Sequence, residues 1–377
     1  MGKVNTALSF SDEQSMLLES ARDFCADKSP VPKVRELMQD ERGYDPAVWQ
    51  EMSQLGWLGI AIPEQYGGSE LGIGSVVPVA EAAGRNMLAT PLITSTLAAQ
   101  VILRGGDNAQ KEQWLPQLAE GKVASMALIE GEDWGDDNIQ CAVTAEGGKL
   151  TLHGEKWYVP YADSAELFVV LVQNSGQPAF ALVPREQVSN AAITPHVLID
   201  ETQRASKIDF SGVVIDQESL INGSNAAVVL RDIRLIGAML FAAEATGSTA
   251  ACLDIVVEYL QTRKQFGKLI GSYQGLKHPT VEILTAMDSA RSHCYHAATV
   301  VGAETLDEDA EIACRMAKAQ ATDALCFAGD RAIQFHGGMG FTYECDAMLY
   351  MRRAQWVQPC FGDAYHHRKR LAPLLLD

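Results

Sequence analysis

The sequence predicts an α+β chain in three consecutive parts: an N-terminal helical domain, a central antiparallel β-domain and a C-terminal helical part. Both ends of the 377-residue chain carry sustained apolar periodicity near 3.6 residues, whereas the middle holds short runs of Val, Ile and aromatic residues cut by Gly, Pro and Asn. There is no internal repeat and no low-complexity segment, so the three stretches form a single succession of layers. The expected boundaries are 1–122, 123–222 and 223–377.

In the first part, Ser11 and Gln14 predict a capping box ahead of "SMLLESARDFCA", whose Leu17, Leu18, Ala21, Phe24 and Cys25 share one face. Asp45 followed by Pro46 starts another helix, and Gly56 ends it. "PEQYGG", residues 63–68, is a loop, after which helical patterns run through "SVVPVAEAAGRNM" and "NAQKEQWLPQLAEG". In the second part "KLTLHGEKWYVP", "ELFVVLV", "AFALVP" and "KIDFSGVVI" are expected strands. From about Asn225 the stretch ending in "EYLQTRKQF" has too few breakers to be anything but one long helix. Two more span about 275–303 and 308–335, and "HHRKRLAPLLL" opens a last, basic amphipathic helix.

The net charge of −18 repels nucleic acid and anionic membrane. An anionic ligand therefore needs locally concentrated cations, and "RKQFGK", "MRR" and "HHRKR" supply them. No apolar run of membrane-spanning length exists, and "MGKVNTALSFSDEQ" has no apolar leader core, so the expectation is a mature cytoplasmic protein. The eight cysteines form no C-x-x-C pair and read as buried, reduced side chains. His293 and His296 stand three apart without nearby carboxylates or thiols, which does not make a metal site.

Two stretches carry chemistry. "TRKQFGKLIGSYQGLKH", residues 262–278, resembles the Arg-x-x-Phe-Gly motif of the acyl-CoA dehydrogenase family, and "DRAIQFHGGMGFTYE", residues 330–344, is similar to that family's Gln-x-x-Gly-Gly-x-Gly segment. "PEQYGG" and "IDFSGVVIDQESLI" match in place and type. Alone, Arg263 is a solvated helix-end cation and Gly337-Gly338 a plain turn; together, in this order, they carry the resemblance over nearly the whole chain. It implies a C-terminal four-helix bundle and FAD as cofactor. It also implies that Arg263, Gln265, Phe266, Gln274, Gln334, Gly337 and Gly338 reach across a dimer interface to clasp a partner's FAD. A guanidinium fork suits the pyrophosphate, and glycines let backbone N–H groups approach it.

The resemblance also exposes two departures. In place of the family's Thr-Glu-Pro and Gly-Ser-Asp loop stands "ALIEGEDWGDDNIQ", where Glu130 is joined by Glu132, Asp133, Asp136 and Asp137, an expected poor neighbour for phosphate. The family's Trp and hydroxyl residue beside the flavin fall on Tyr158 and Pro160. The family's general base, a glutamate that takes the α-proton of an acyl-CoA while hydride leaves the β-carbon, falls on Phe361, with Gly362 next. Its second location, on the long helix, falls near Gly237. Neither can take a proton.

The cluster in "QWVQPCFGDAYHHRKR" therefore marks lost chemistry, with Asp363 as the fallback base and Glu244 as a carboxylate that reads better as a polar contact in the bundle. The pattern resembles the subunit without the base in heteromeric α2β2 acyl-CoA dehydrogenases acting on bulky thioesters such as steroid side chains. A paralogous subunit, the acyl-CoA and an electron-transferring flavoprotein are the implied partners. A homomeric enzyme with a displaced base and a flavin-free helical scaffold are the alternatives.

Overall fold

The computed structural model describes residues 12–135, 138–146, 148–223, 225–302 and 305–376. Ser11 of the expected capping box lies outside them. Helices α1 (Asp12–Lys28), α2 (Val31–Leu37), α3 (Pro46–Gln54), α4 (Val77–Arg85), α5 (Leu92–Gly105) and α6 (Asn108–Ala119) build the first layer. Asp45 caps α3 by accepting from the Ala47 N–H, and Gly56 takes the left-handed conformation (φ 75°) just past its end. The capping box forms at α6, between Asp107 and Gln110.

The strands are β1 (Ala124–Ala127), β2 (Ala142–Glu146), β3 (Lys149–His153), β4 (Glu155–Pro160), β5 (Leu167–Asn174), β6 (Gln177–Pro184), β7 (Ile193–Pro195), β8 (Ala205–Asp209), β9 (Val214–Asp216) and β10 (Leu220–Ile221). One sheet runs β10-β6-β5-β2-β3-β9 with β1 on β5, and a second runs β4-β8-β7. Most pairs are antiparallel, as expected, but β1 and β2 each meet β5 in parallel. Between β1 and β5 the chain passes through β2 and β3 of the same sheet and β4 of the other, a connection that alternation along a strand does not reveal. β5 is buried along six consecutive residues, the signature of a strand covered on both faces.

The third layer starts with α7 (Ala226–Thr262), a 37-residue helix that stops one residue short of Arg263. A two-stranded hairpin follows, β11 (Lys264–Gln265) and β12 (Lys268–Leu269), then α8 (Gln274–Val300), α9 (Glu308–His336), α10 (Ala347–Val357) and α11 (Ala364–Leu376). Helices α7, α8, α9 and α11 pack as a bundle, and α4 crosses α7 closely. A Cβ on Gly84 would fall 2.1 Å from the Glu244 carbonyl oxygen, and one on Gly247 1.9 Å from that of Glu81, so only glycine permits this crossing. Glu81, buried on α4, accepts from Arg291 and from the Tyr295 hydroxyl (3.0 and 2.7 Å) and ties α4 to α8. All eight cysteines are free thiols, and burial pushes that of Cys25 up to about 12. Among the described residues no helix is long and apolar enough to cross a membrane.

Candidate functional site

Two regions separate, one open on the surface and one narrowed by packed aromatic rings. The open one is built by the hairpin that terminates α7 and by the end of α9. Phe266 and Gly267 form its two-residue turn, both with positive φ (52° and 79°), the geometry that matches strand twist in a tight hairpin. Gly267 adopts it freely; Phe266 does not, yet it is held there with its ring 89% exposed. The neighbouring α9 ends at Gly337 (φ 59°, ψ −135°), a conformation essentially restricted to glycine. A surface concavity of about 560 Å³ brings Arg263, Gln265, Phe266, Gly337 and Gly338 together. Tyr259, Tyr273 and His336 also line it, with the Tyr259 and His336 rings stacked at 4.0 Å. Gln274 and Gln334 are exposed, and their neighbours Gly275 and Phe335 line the concavity while they do not.

The narrowed region lies between the first layer, the β-domain and α7. Glu130 accepts from the N–H groups of Gln140 and Cys141 (2.6 and 2.9 Å) and pairs at 2.6 Å with Lys156, which is fully buried. Burial pulls the Lys156 ammonium below its ordinary value while Glu130 raises it. Glu130 is thus a brace for the loop, and Asp133 accepts from Gly135 N–H; Asp136 and Asp137 lie outside the described residues. What fills the crevice is apolar. Trp134 packs on Phe361 at 5.2 Å, Phe241 on Phe361 at 5.6 Å, and Tyr158 near Trp356 at 6.2 Å. A register shift between Lys156 and Val159, with Tyr158 at φ 49°, lets both Trp157 and Tyr158 line the crevice beside Pro160. The remaining space is about 60 Å³, room for a few water molecules and far below a typical ligand pocket.

Phe361 sits at φ 59° and is buried. A Cβ on Gly237 would fall 2.5 Å from its ring, so the two positions where the sequence comparison sought a base are in contact, and one occludes the other. The loop holding Phe361 is anchored from below. The buried ammonium of Lys318 donates to the carbonyls of Val357, Gln358 and Gly362, each at 3.0 Å, and burial pulls it down to about 8. His367 bonds the Phe361 carbonyl through Nε2 (3.0 Å), and burial, then Lys318 and Arg315, pull it down to about 2. The ring is therefore neutral and Nε2 carries the proton as donor.

Both fallback carboxylates are engaged. Asp363 is exposed, accepts from the His366 N–H at 2.7 Å and caps α11, and it does not line the crevice. Glu244 does line it, but its carboxylate is bound by Arg353, which also holds Asp200 and the Thr202 hydroxyl. Burial raises the Glu244 carboxyl and Arg353 opposes the rise. The sequence analysis missed Trp134, Trp356, Phe241 and Arg353. The aromatics carry no motif, and Arg353 was noticed only as part of "MRR".

Comparison with known proteins gives the same outline. Residues 11–122 match the model described as "Acyl-CoA dehydrogenase, N-terminal domain" and residues 235–375 the corresponding C-terminal domain. The acyl-CoA dehydrogenase IpdE2 of Mycolicibacterium smegmatis is 27% identical over 366 residues, covering 96% of this chain and 98% of that protein. Among solved structures, the ChsE4–ChsE5 complex from Mycobacterium tuberculosis superposes with a TM-score of 0.88 at 22% identity, covering 99% of each chain. A variant of the Tcur3481–Tcur3483 steroid ACAD gives 0.84 at 23%, covering 97% of this chain and 98% of that one.

Proposed function

The chain belongs to the acyl-CoA dehydrogenase family, whose members are FAD-dependent oxidoreductases, and we propose that within it this chain completes a partner subunit's FAD site while the partner carries the base. The observation that carries this reading is the asymmetry between the two regions. Five of the residues implied to reach across an interface, Arg263, Gln265, Phe266, Gly337 and Gly338, converge on an open concavity, whereas this chain's own crevice is narrowed by aromatic rings and Phe361 and Gly237 stand at both base positions. We take the working division of the chain as 1–122, 123–222 and 223–377.

The two regions fit FAD differently. The open concavity fits its phosphate-bearing end. Arg263 presents a planar fork, and nothing stands within 4 Å of where a Cβ would extend from Gly337 or Gly338, so a ligand can reach the backbone there. The crevice offers the ring system little: about 60 Å³ is free between Trp134, Tyr158 and Phe361, and Pro160 has neither N–H nor hydroxyl to present to it. When bound in the assembled site, FAD supplies the acceptor for the hydride leaving the substrate's β-carbon. In this reading Arg263 orients the phosphates, Phe266 seats the hairpin against the partner, and no residue of this chain removes the α-proton.

The heteromeric assembly draws support from the two-component ChsE4–ChsE5 and Tcur3481–Tcur3483 neighbours. The latter's description as a steroid ACAD supports a bulky CoA thioester as substrate. A paralogous acyl-CoA dehydrogenase subunit, an electron-transferring flavoprotein as acceptor and a cytoplasmic location complete the proposal. The test is flavin content. The chain expressed alone should be colourless, and the assembled protein should hold one FAD per pair of unlike subunits. One FAD per chain, bleached by an acyl-CoA in the isolated chain, would establish the displaced-base homomer instead. A chain that never acquires flavin with any paralogue would establish the scaffold.

A further inference from the structure

The loop that carries Gly338 toward α10 has little apolar anchorage. Of residues 338–346 only Gly340 and Cys345 are buried, while Met339, Phe341 and Tyr343 stand exposed. Polar contacts hold it. Arg35 of α2 donates to the Tyr343 carbonyl at 2.6 Å and to Asp346 at 2.8 Å. The Tyr343 hydroxyl donates to Glu201. Arg352 covers the Tyr343 ring at 5.2 Å and pairs with the same Glu201 at 3.1 Å. An exposed ion pair between two free side chains contributes little. Glu201 differs because its backbone is fixed on both sides. Its neighbours Asp200 and Thr202 are buried and clamped by Arg353, the buried arginine next to Arg352. Its own carbonyl accepts from Arg204 at 2.6 Å, which also reaches the carbonyls of Met38 and Asp40 at 3.0 and 2.7 Å.

We propose that Glu201 is a positioning residue for the cofactor clasp: it carries the rigidity of the Arg353 anchor outward to Tyr343 and so fixes where Gly337 and Gly338 present their backbone to the partner's FAD. This role rests on the clasp reading given above. Gly337 opens the loop in a conformation that only glycine adopts, and nothing within 4 Å of where a Cβ would sit on Gly337 or Gly338 holds them from outside. The far end of the loop therefore sets their pose. Little slack separates the two. The Gly340 N–H donates to the Gly337 carbonyl at 2.9 Å, the Thr342 N–H to the Met339 carbonyl at 3.0 Å, and a Cβ on Gly340 would come 2.1 Å from the Ile333 carbonyl oxygen. The adjacent arginines of α10 divide the task, Arg353 facing inward to Glu244 and Arg352 outward to Glu201. A clasp held in its binding conformation beforehand has less ordering to undergo when the ligand arrives.

The test is FAD retention by the assembled protein, followed by flavin fluorescence on serial dilution. Glu201→Ala should weaken retention about five- to tenfold, and Tyr343→Phe, which removes the hydroxyl alone, about two- to fivefold. Glu201→Gln still accepts from that hydroxyl and should recover most of the loss. Gly338→Ala sets a methyl where the ligand approaches the backbone and should itself weaken retention; Glu201→Ala added to it should then cost nothing more, because the contact it positions is already gone. Retention that falls in Gly338→Ala but holds in Glu201→Ala, or losses that simply multiply in the double variant, overturn the positioning role and leave the clasp standing. Retention that holds in both Gly338→Ala and Arg263→Ala overturns the clasp reading, and the role of Glu201 with it.

Discussion

The Phe361 ring lies so close over Gly237 that a single added methyl there would come within 2.5 Å of it. The two positions fit together as ring and recess, and the recess exists only because residue 237 has no side chain.

Gly237→Ala should therefore destabilise the chain by about 1–3 kcal/mol through overpacking. Phe361→Ala in the same background should recover part of that loss, because the methyl then has room. Urea midpoints of the two single variants and the double variant check this; strictly additive effects would show that ring and recess do not interact.

Replacing the fallback carboxylates should leave turnover of the assembled protein within severalfold. Asp363→Asn keeps an N-cap for α11, so its stability should hold. Glu244→Gln weakens a buried ion pair with Arg353, and its cost should appear in thermal stability. A positioned base contributes roughly 10²–10⁴-fold, so an abolished rate for either variant, with flavin and acyl-CoA still bound, would identify that carboxylate as the base.

Arg263→Ala should weaken flavin retention by the assembled protein about ten- to a hundredfold, the equivalent of one charge-assisted bidentate contact. Flavin released on serial dilution, against the unsubstituted protein, measures it. Undiminished retention removes Arg263 from the cofactor's contacts.

The buried His367 makes stability acid-sensitive. Its folded value near 2 lies below the ordinary 6.5, so as pH falls below 6.5 the unfolded chain takes up a proton that the folded chain refuses. The stabilisation is complete above 6.5 and is lost progressively as pH falls toward 2, by about 2 kcal/mol between pH 7 and pH 5. His367→Gln keeps a donor for the Phe361 carbonyl and has no proton to gain. The stability gap between the two proteins, from urea unfolding at pH 7 and pH 5, should shift by that amount in favour of Gln.

The order of layers, the long α7, the caps at α3 and the two glycine-bearing motifs were all legible in the sequence, because each depends on residues near one another along the chain. So was the inability of residue 361 to act as a base, since a phenylalanine cannot accept a proton in any fold. The tertiary structure decided what contacts separated in sequence decide. Trp134, Phe241 and Phe361 come from three different segments, and only packing makes them one wall. The parallel entry of β1 beside β5 depends on the connection between them, not on either strand. The five carboxylates of the 130–137 loop suggested a poor neighbour for phosphate, yet among its described residues Glu130 is paired with a buried lysine, and it is aromatic rings that narrow the crevice. Arg352 and Arg353 stand side by side in "MRR", and only packing sends one outward to Glu201 and the other inward to Glu244.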